Sequence, residues 1–373
     1  MPKAAENEDF LSRQLITYIG NKRSLLPFIG EALEKVKKRL GREKLAIFDA
    51  FSGSGSVARF FKAHSELLLV NDLEAYSETL NRCYLANREE LPLPELEEIH
   101  QSLVRRLREE PLKKGFIAEL YAPLDEDNIK EGERVFYTPR NARFIDTARQ
   151  LMEEVKPDLR HFFLAPLLAE ASVHANTAGV FKGFYKDKFS GKGHFGGTGR
   201  DALFRIKGDI NLPFPLWSSF SCPVKIYRQD TNLLIDDPGF PKEVDLTYLD
   251  PPYNQHPYGS NYFMLNLILS YQKPASISRV SGIPPDWNRS VYNKRPKAGL
   301  AFEQLVTQIK SKYLLVSFNS EGFISTSEML SILGKAGKVE VFETSYNTYR
   351  GSRNLRNRQA HVREFLYLVE RKD

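Results

Sequence analysis

The chain has 373 residues, 42% hydrophobic and 27% charged, with a formal net charge of +6 at pH 7. That balance excludes wholesale disorder and leaves room for one large domain with an insertion, or for two domains. Cys83 and Cys222 are too few for a disulfide framework or a thiolate zinc site, no apolar run approaches the roughly 20 residues of a membrane span, and the polar opening MPKAAENEDF is unlike a secretory signal, so a reducing cytoplasm is the expected compartment.

Residues 45–50 form the first short apolar run, read as a buried strand that ends in the glycine turn Asp49-Ala-Phe-Ser-Gly-Ser-Gly55. Small residues at such a turn let a ligand approach the backbone at the following helix N-terminus, although a plain strand-to-helix turn needs glycine as often. A helix-length stretch over residues 54–64 leads to a second run at 67–71, and this strand, turn, helix, strand unit opens a doubly wound sheet. Asp72 ends the second run, about 20 residues past the glycines, where an acid accepts hydrogen bonds from a ribose diol. A nucleoside-containing cofactor is favoured at this point, with NAD and S-adenosylmethionine both open.

The alternation then breaks over residues 87–221, which marks an insertion. Its first part is helical in character: PELEEIHQSLVRRLREE and RFIDTARQLMEEV both space apolar residues three and four apart. Residues 181–208, FKGFYKDKFSGKGHFGGTGRDALFRIKG, have no sustained period and read as a long, exposed, basic loop. There Lys182, Lys186, Lys188, Lys192, Arg200, Arg205 and Lys207 stand against Asp187 and Asp201, interleaved with Phe184, Tyr185, Phe189 and Phe195. Clustered cations gain affinity for DNA by displacing counterions from its phosphates; a solvated charged face is the plainer reading.

Strand runs resume at 224–228 and 244–249, and Asp250-Pro251-Pro252-Tyr253 follows the latter directly. At the carboxyl edge of a buried strand, where open α/β sheets bind ligands, the aspartate oxygen and a neighbouring backbone carbonyl can accept both hydrogens of an exocyclic amine, and the tyrosine ring offers a stacking face. An amine so held presents its lone pair to an electrophilic methyl, which favours S-adenosylmethionine over NAD. Asp and Pro also favour surface turns, but a turn does not explain a motif set beside the glycine turn and the spaced acid. Beyond it come a helix at 262–271, the basic loop RSVYNKRPK, a strand at 314–318 and two last strands at 339–343 and 364–369. The histidines show no ligand spacing, and no metal is expected.

With these motifs in this order, the chain resembles the alpha-class, D12-type DNA adenine N6-methyltransferases, which carry a DPPY motif. In that family a segment upstream of the glycine turn is similar to Thr17-Tyr18-Ile19-Gly20-Asn21-Lys22-Arg23, and a strand-end acid is similar to Asp230. The resemblance implies S-adenosylmethionine as cofactor, covered by Tyr18 and Lys22 with Gly20 and Asn21 beside them. Its methionine end would meet Asp49, Phe51, Ser52, Gly53 and Gly55, its ribose Asp72 and its adenine Asp230, with Asp250, Pro251, Pro252 and Tyr253 as the catalytic set. Residues 176–185 and 346–354 are also similar to family segments, which implies double-stranded DNA as substrate, contacted by Lys182, Tyr185, Lys186, Lys188, Arg200, Arg350, Arg353 and Asn354. Residues 90–155 depart from the family pattern.

The expected architecture is α/β. Residues 1–88 and 220–373 are to form a doubly wound, mostly parallel, seven-stranded Rossmann-like sheet with an antiparallel hairpin at one edge. Residues 89–219 are to form an inserted, largely helical plus loop target-recognition domain. The expected function is sequence-specific methylation of a flipped adenine within a restriction-modification system, where a cognate endonuclease is a further partner. A cytosine N4-methyltransferase and a catalytically silent DNA-binding module are the alternatives.

Overall fold

The structure is a computed structural model that describes residues 6–197, 202–347 and 361–372. Helices α1 (Glu8–Ser12) and α2 (Leu26–Leu40) precede β1 (Leu45–Asp49), and α3 (Ser56–Lys62), β2 (Ser65–Asp72) and α4 (Ala75–Tyr84) follow it. Among the described residues, helices α5 (Leu93–Glu109), α6 (Phe116–Tyr121), α7 (Pro139–Met152), α8 (His161–Val173) and α9 (Leu203–Lys207) occupy the segment before β3 (Val224–Arg228). Then come α10 (Thr231–Leu234), β4 (Val244–Leu249), α11 (Tyr258–Asn261), α12 (Phe263–Ser270), α13 (Arg295–Gln308), β5 (Ser311–Asn319), α14 (Thr326–Ala336), β6 (Gly337–Asn347) and β7 (His361–Arg371). Among the described residues, no helix is long and apolar enough to cross a membrane.

The seven strands form one sheet in the order β3-β2-β1-β4-β5-β7-β6. The first five pair in parallel, and β7 runs antiparallel to both β5 and β6, so the sheet is mixed only at its last edge. Because strand residues alternate between faces, each apolar run feeds two layers. Ile47, Leu315, Leu366 and Leu368 pack on one side with α2 and α3, while Phe48, Leu314, Val316 and Val369 pack on the other with α13 and α14. Helix α2 closes on Gly41, left-handed at φ 64°, whose N–H satisfies the carbonyls of Lys37 and Lys38.

The inserted helices do not enclose a core of their own. Leu96 and Leu103 of α5, Ile145 and Met152 of α7 and nearly all of α8 join one apolar cluster with Tyr76 and Leu80 of α4 and Phe263 and Ile268 of α12. The chain leaves and re-enters through a narrow neck, where Asn87 Nδ2 donates to Cys222 O at 3.0 Å and Cys222 N donates to Asn87 Oδ1 at 3.2 Å.

Candidate active site

Strands run outward from β1 in both directions, β2 and β3 to one side and β4 and β5 to the other, and ligand crevices form at such a switch. A cleft of about 870 Å³, counting the open solvent at its mouth, lies at the ends of β1 and β4. β1 delivers Asp49 to it, fully buried, with neither carboxylate oxygen meeting a hydrogen-bond donor at good geometry. Burial, then the charges of Asp250 and Asp72, hold this carboxyl well above the usual range, against the opposing backbone amides of Phe51 and Ala58.

The glycine turn has a steric reason. Gly53 is left-handed at φ 53°, and a Cβ there would come within 2.7 Å of the Tyr18 ring, so glycine is what lets Tyr18 close over the turn. Tyr18 is itself stacked on Tyr258 and Tyr262, with ring centroids 4.9 and 4.8 Å away. Ile19 pins the same segment, its N–H donating to Tyr262 Oη at 2.7 Å and its carbonyl accepting from Tyr258 Oη at 3.1 Å. Asp72 accepts from Gly53 N at 2.8 Å and from Glu74 N at 2.9 Å, tying the turn to β2 while it faces the cleft. Burial pushes its carboxyl up to about 6 despite these amides.

Asp250 follows β4 at the opposite wall. Lys22 reaches it from behind the Tyr18 segment, only 3% exposed, with Nζ 3.2 Å from Asp250 Oδ1 and 3.0 Å from Glu364 Oε1. Burial by itself would lower the pKa of Lys22, but the two carboxylates more than reverse this and hold it well above the usual range, so the ammonium stays charged. Lys22 is therefore a buried partner of the DPPY aspartate, not a solvated charge. Burial pushes the Asp250 carboxyl up to about 6, with Lys22 opposing and Glu364 adding to the shift.

Of the residues singled out from the sequence, Tyr18, Gly20, Asn21, Lys22, Asp49, Phe51, Ser52, Gly53, Asp72, Asp230, Asp250 and Pro252 share the walls of this one cleft. Asp230 also caps α10, accepting from Asn232 N at 3.0 Å, so it holds a local turn as well as facing the cleft. Gly55, Pro251 and Tyr253 are not in the walls. Gly55 caps α3 at φ 77°, where a Cβ would meet Asn81 Oδ1 at 2.8 Å. Pro251 is buried behind the motif, and Tyr253 packs edge-on against Phe318 at 6.1 Å with its hydroxyl close to Gly20. The walls also include residues the sequence did not single out, among them Glu74, Asn288, Tyr292 and Asn293. Tyr292 stands edge-on to Phe51 at 5.4 Å and donates to Asn232 Oδ1 at 2.7 Å, and Asn293 Nδ2 donates to Asn254 O at 2.8 Å. The sequence offered only a basic loop there, with no spacing to mark them.

Among the described residues, none of the lysines expected to contact DNA, Lys182, Lys186 and Lys188, lines the cleft. Lys182 and Lys188 are exposed, Tyr185 is half-buried, and Lys186 holds its ammonium 4.4 Å from the centre of the Phe184 ring. Phe189 is 99% exposed on a turn in which Asp187 Oδ1 accepts from the N–H groups of Phe189 and Ser190 at 3.0 and 2.8 Å. The expectation of a wholly exposed loop needs correction. Phe181 is buried, Phe184 packs edge-on against Phe136 at 5.2 Å, and Arg205 is committed to the backbone carbonyls of Val173, Ala175 and Thr177. Arg200, Arg350, Arg353 and Asn354 lie outside the described residues.

Residues 18–280 match the D12 class N6 adenine-specific DNA methyltransferase family. The chain belongs to this family. It is 30% identical over 365 residues to Type II methyltransferase M.NlaIII of Neisseria lactamica, an alignment that covers 95% of this chain and 99% of that relative. Type II methyltransferase M.CviAII of Paramecium bursaria Chlorella virus 1 is 27% identical, with 95% and 98% covered. Type II methyltransferase M.FokI of Planomicrobium okeanokoites is 26% identical over 95% of this chain but 52% of its own length. As a D12 class member, the chain is a site-specific adenine DNA methyltransferase, which sets aside the cytosine enzyme and the silent binding module. The glycine turn and the DPPY motif fall inside the matched span, whereas Tyr292, Asn293 and Glu364 lie beyond it.

Proposed function

We propose that this adenine methyltransferase draws its methyl group from S-adenosylmethionine held on the β1–β2 side of the cleft, and transfers it to an adenine flipped out of duplex DNA beside Asp250. One observation carries the reading: Asp49, Asp72, Glu74 and Asp250 face a single cleft in which, among the described residues, the one lining Lys or Arg is Lys22, already paired. Such an acid surplus suits a ligand that bears a sulfonium and an ammonium. The unpaired oxygens of Asp49 fit the ammonium, and the remaining lone pairs of Asp72 fit a ribose diol. Asp230 and Phe51 would then bound the rest of the ligand.

When bound, S-adenosylmethionine supplies an electrophilic methyl on sulfur; the chain supplies position. Asp250, whose Oδ1 lies 3.2 Å from Lys22 Nζ, would accept an amine hydrogen, which turns the nitrogen lone pair toward the cleft. Tyr253 offers its ring to the flipped base, offsetting part of the lost stacking. After transfer the nitrogen sheds a proton, and a carboxylate with a pKa of about 6 within hydrogen-bond reach is placed to receive it. Residues 89–219 would read the target, with Lys182, Tyr185, Lys186 and Lys188 on DNA. The Type II names of the relatives support a role in a restriction-modification system beside a cognate endonuclease.

Equilibrium titration with S-adenosylmethionine tests the cofactor half. Asp72→Ala and Asp49→Asn should each weaken binding by about 1.5–3 kcal/mol, the worth of hydrogen bonds to a charged group. Wild-type affinity in both would remove the cofactor from this wall. Flipping is read by a fluorescent adenine analogue at the target position, whose emission should rise on binding; a silent probe would count against it.

A further inference from the structure

We propose that Glu364 is a positioning residue for methyl transfer, acting through Lys22 to hold the Asp250 carboxylate with one oxygen turned to the target amine. This role rests on the adenine methyltransferase reading of the cleft, and it concerns a residue outside the family-matched span. Glu364 belongs to β7, where its register partner on β5 is Asn319. Asp250 belongs to the end of β4, on the other side of β5. Lys22 bridges that gap, and Ser317 Oγ on the intervening strand donates to Glu364 Oε1 at 2.6 Å, the same oxygen that faces the ammonium.

Stability alone does not account for this arrangement. Lys22 and Glu364 are buried here beside the half-buried Asp250; Glu364 is completely enclosed, and its Oε2 has no hydrogen-bond partner. An apolar trio of equal volume would serve packing at least as well, because removing charges from water costs several kcal/mol per ion. What the second acid adds is direction. Lys22 Nζ lies between the acids, 3.0 Å from Glu364 Oε1 and 3.2 Å from Asp250 Oδ1, so Asp250 has only a share of its charge. Without Glu364, the ammonium is drawn wholly onto Asp250 and covers the acceptor the substrate amine needs. The groups facing Asp250 are Lys22, Glu364, Asp49, Tyr248, Tyr253 and Tyr258, and those facing Glu364 are Lys22, Ser317, Tyr248, Tyr253 and Tyr367. Lys22 is the one cation in both sets, so the balance between the acids runs through it.

The test compares E364Q, K22M and the double variant K22M/E364Q by single-turnover methylation of unmethylated plasmid DNA across pH, with DNA and S-adenosylmethionine saturating. E364Q keeps the shape and removes the charge. Its plateau rate should fall about tenfold or more, and its acid limb should move to lower pH, since Lys22 then serves Asp250 alone; DNA and cofactor binding should stay within about twofold. In the K22M background the same change should cost little further, because the path through Lys22 is already cut. A wild-type plateau and acid limb in E364Q, or an equal loss with and without Lys22, would overturn the assignment. Should E364Q fail to fold, the comparison of K22M with the charge-balanced double variant decides it. Failure of the underlying reading looks different: the wild-type enzyme itself would transfer no methyl from S-adenosylmethionine to adenine.

Discussion

At the cleft, charge is buried and committed before any ligand arrives: Lys22 sits between two carboxylates, Asp72 ties the glycine turn, and Tyr18 lies under two stacked rings. In residues 181–197 the anchors are apolar, Phe181 and Phe184 turned inward, while the Lys182 and Lys188 side chains and Phe189 stand in water. The first arrangement excludes solvent, so its electrostatics are strong, short in range and insensitive to salt. Exposed cations such as those of the second would act on a polyanion by counterion release, which salt erodes directly. On the proposed reading, orienting an amine and gripping a polyanion would fall to separate surfaces, and each should fail without the other.

The sharpest break in that separation comes at Asp250. Asp250→Ala should lower the single-turnover rate by about a thousandfold or more while DNA and cofactor binding survive, because it removes the group that orients the amine; a near-normal rate would put the chemistry elsewhere. In the wild-type enzyme the carboxylate is ionised above its raised pKa and protonated below it, so the rate should be full at neutral pH and fall as pH drops through about 6. Saturating cofactor is needed for that measurement, since Asp72 titrates in the same region.

A smaller effect is expected on the other surface. Changing Lys182, Lys186 and Lys188 together to Ala should weaken DNA binding about 10- to 100-fold and flatten its salt dependence by about two to three ion equivalents, with S-adenosylmethionine affinity unmoved. An unchanged salt slope would remove this segment from the DNA interface. Smallest of all, Tyr253→Phe keeps the ring and should stay within about threefold of wild-type activity, whereas Tyr253→Ala loses stacking worth about 1–3 kcal/mol. Equal losses in the two variants would mean that the hydroxyl near Gly20, and not the ring, is what matters.

Much of the sheet was legible because parallel strands buried on both faces are short, nearly continuous apolar runs. β3 and β4 fall on the expected residues, and the antiparallel pair sits at the edge where it was placed. β6 and β7 run several residues longer than their apolar cores, over positions such as Lys338 and Arg363 that hairpin pairing orders and hydropathy cannot mark. α8 escaped notice for the opposite reason: HFFLAPLLAEASV is apolar all round and holds Pro166, so it has no helical stripe to read. Within the site, the glycine turn, Asp72 and the DPPY motif carry local spacing and were found. Glu364 and Tyr292 carry none: Tyr292 reaches the cleft on an irregular connection, and Glu364 meets Lys22 only when distant strands are brought together.

The neck at Asn87 and Cys222 makes the inserted segment look like a cassette, entered and left at one point. The apolar seam beneath it contradicts that impression, because α4 and α12 bury Tyr76, Leu80, Phe263 and Ile268 against α7 and α8. A chimera cut at the neck alone would present these side chains to a foreign helix layer or to water, an aggregation hazard of the kind large exposed apolar patches create. Any exchange of the inserted segment in this scaffold therefore has to carry the α4 and α12 faces along with the graft.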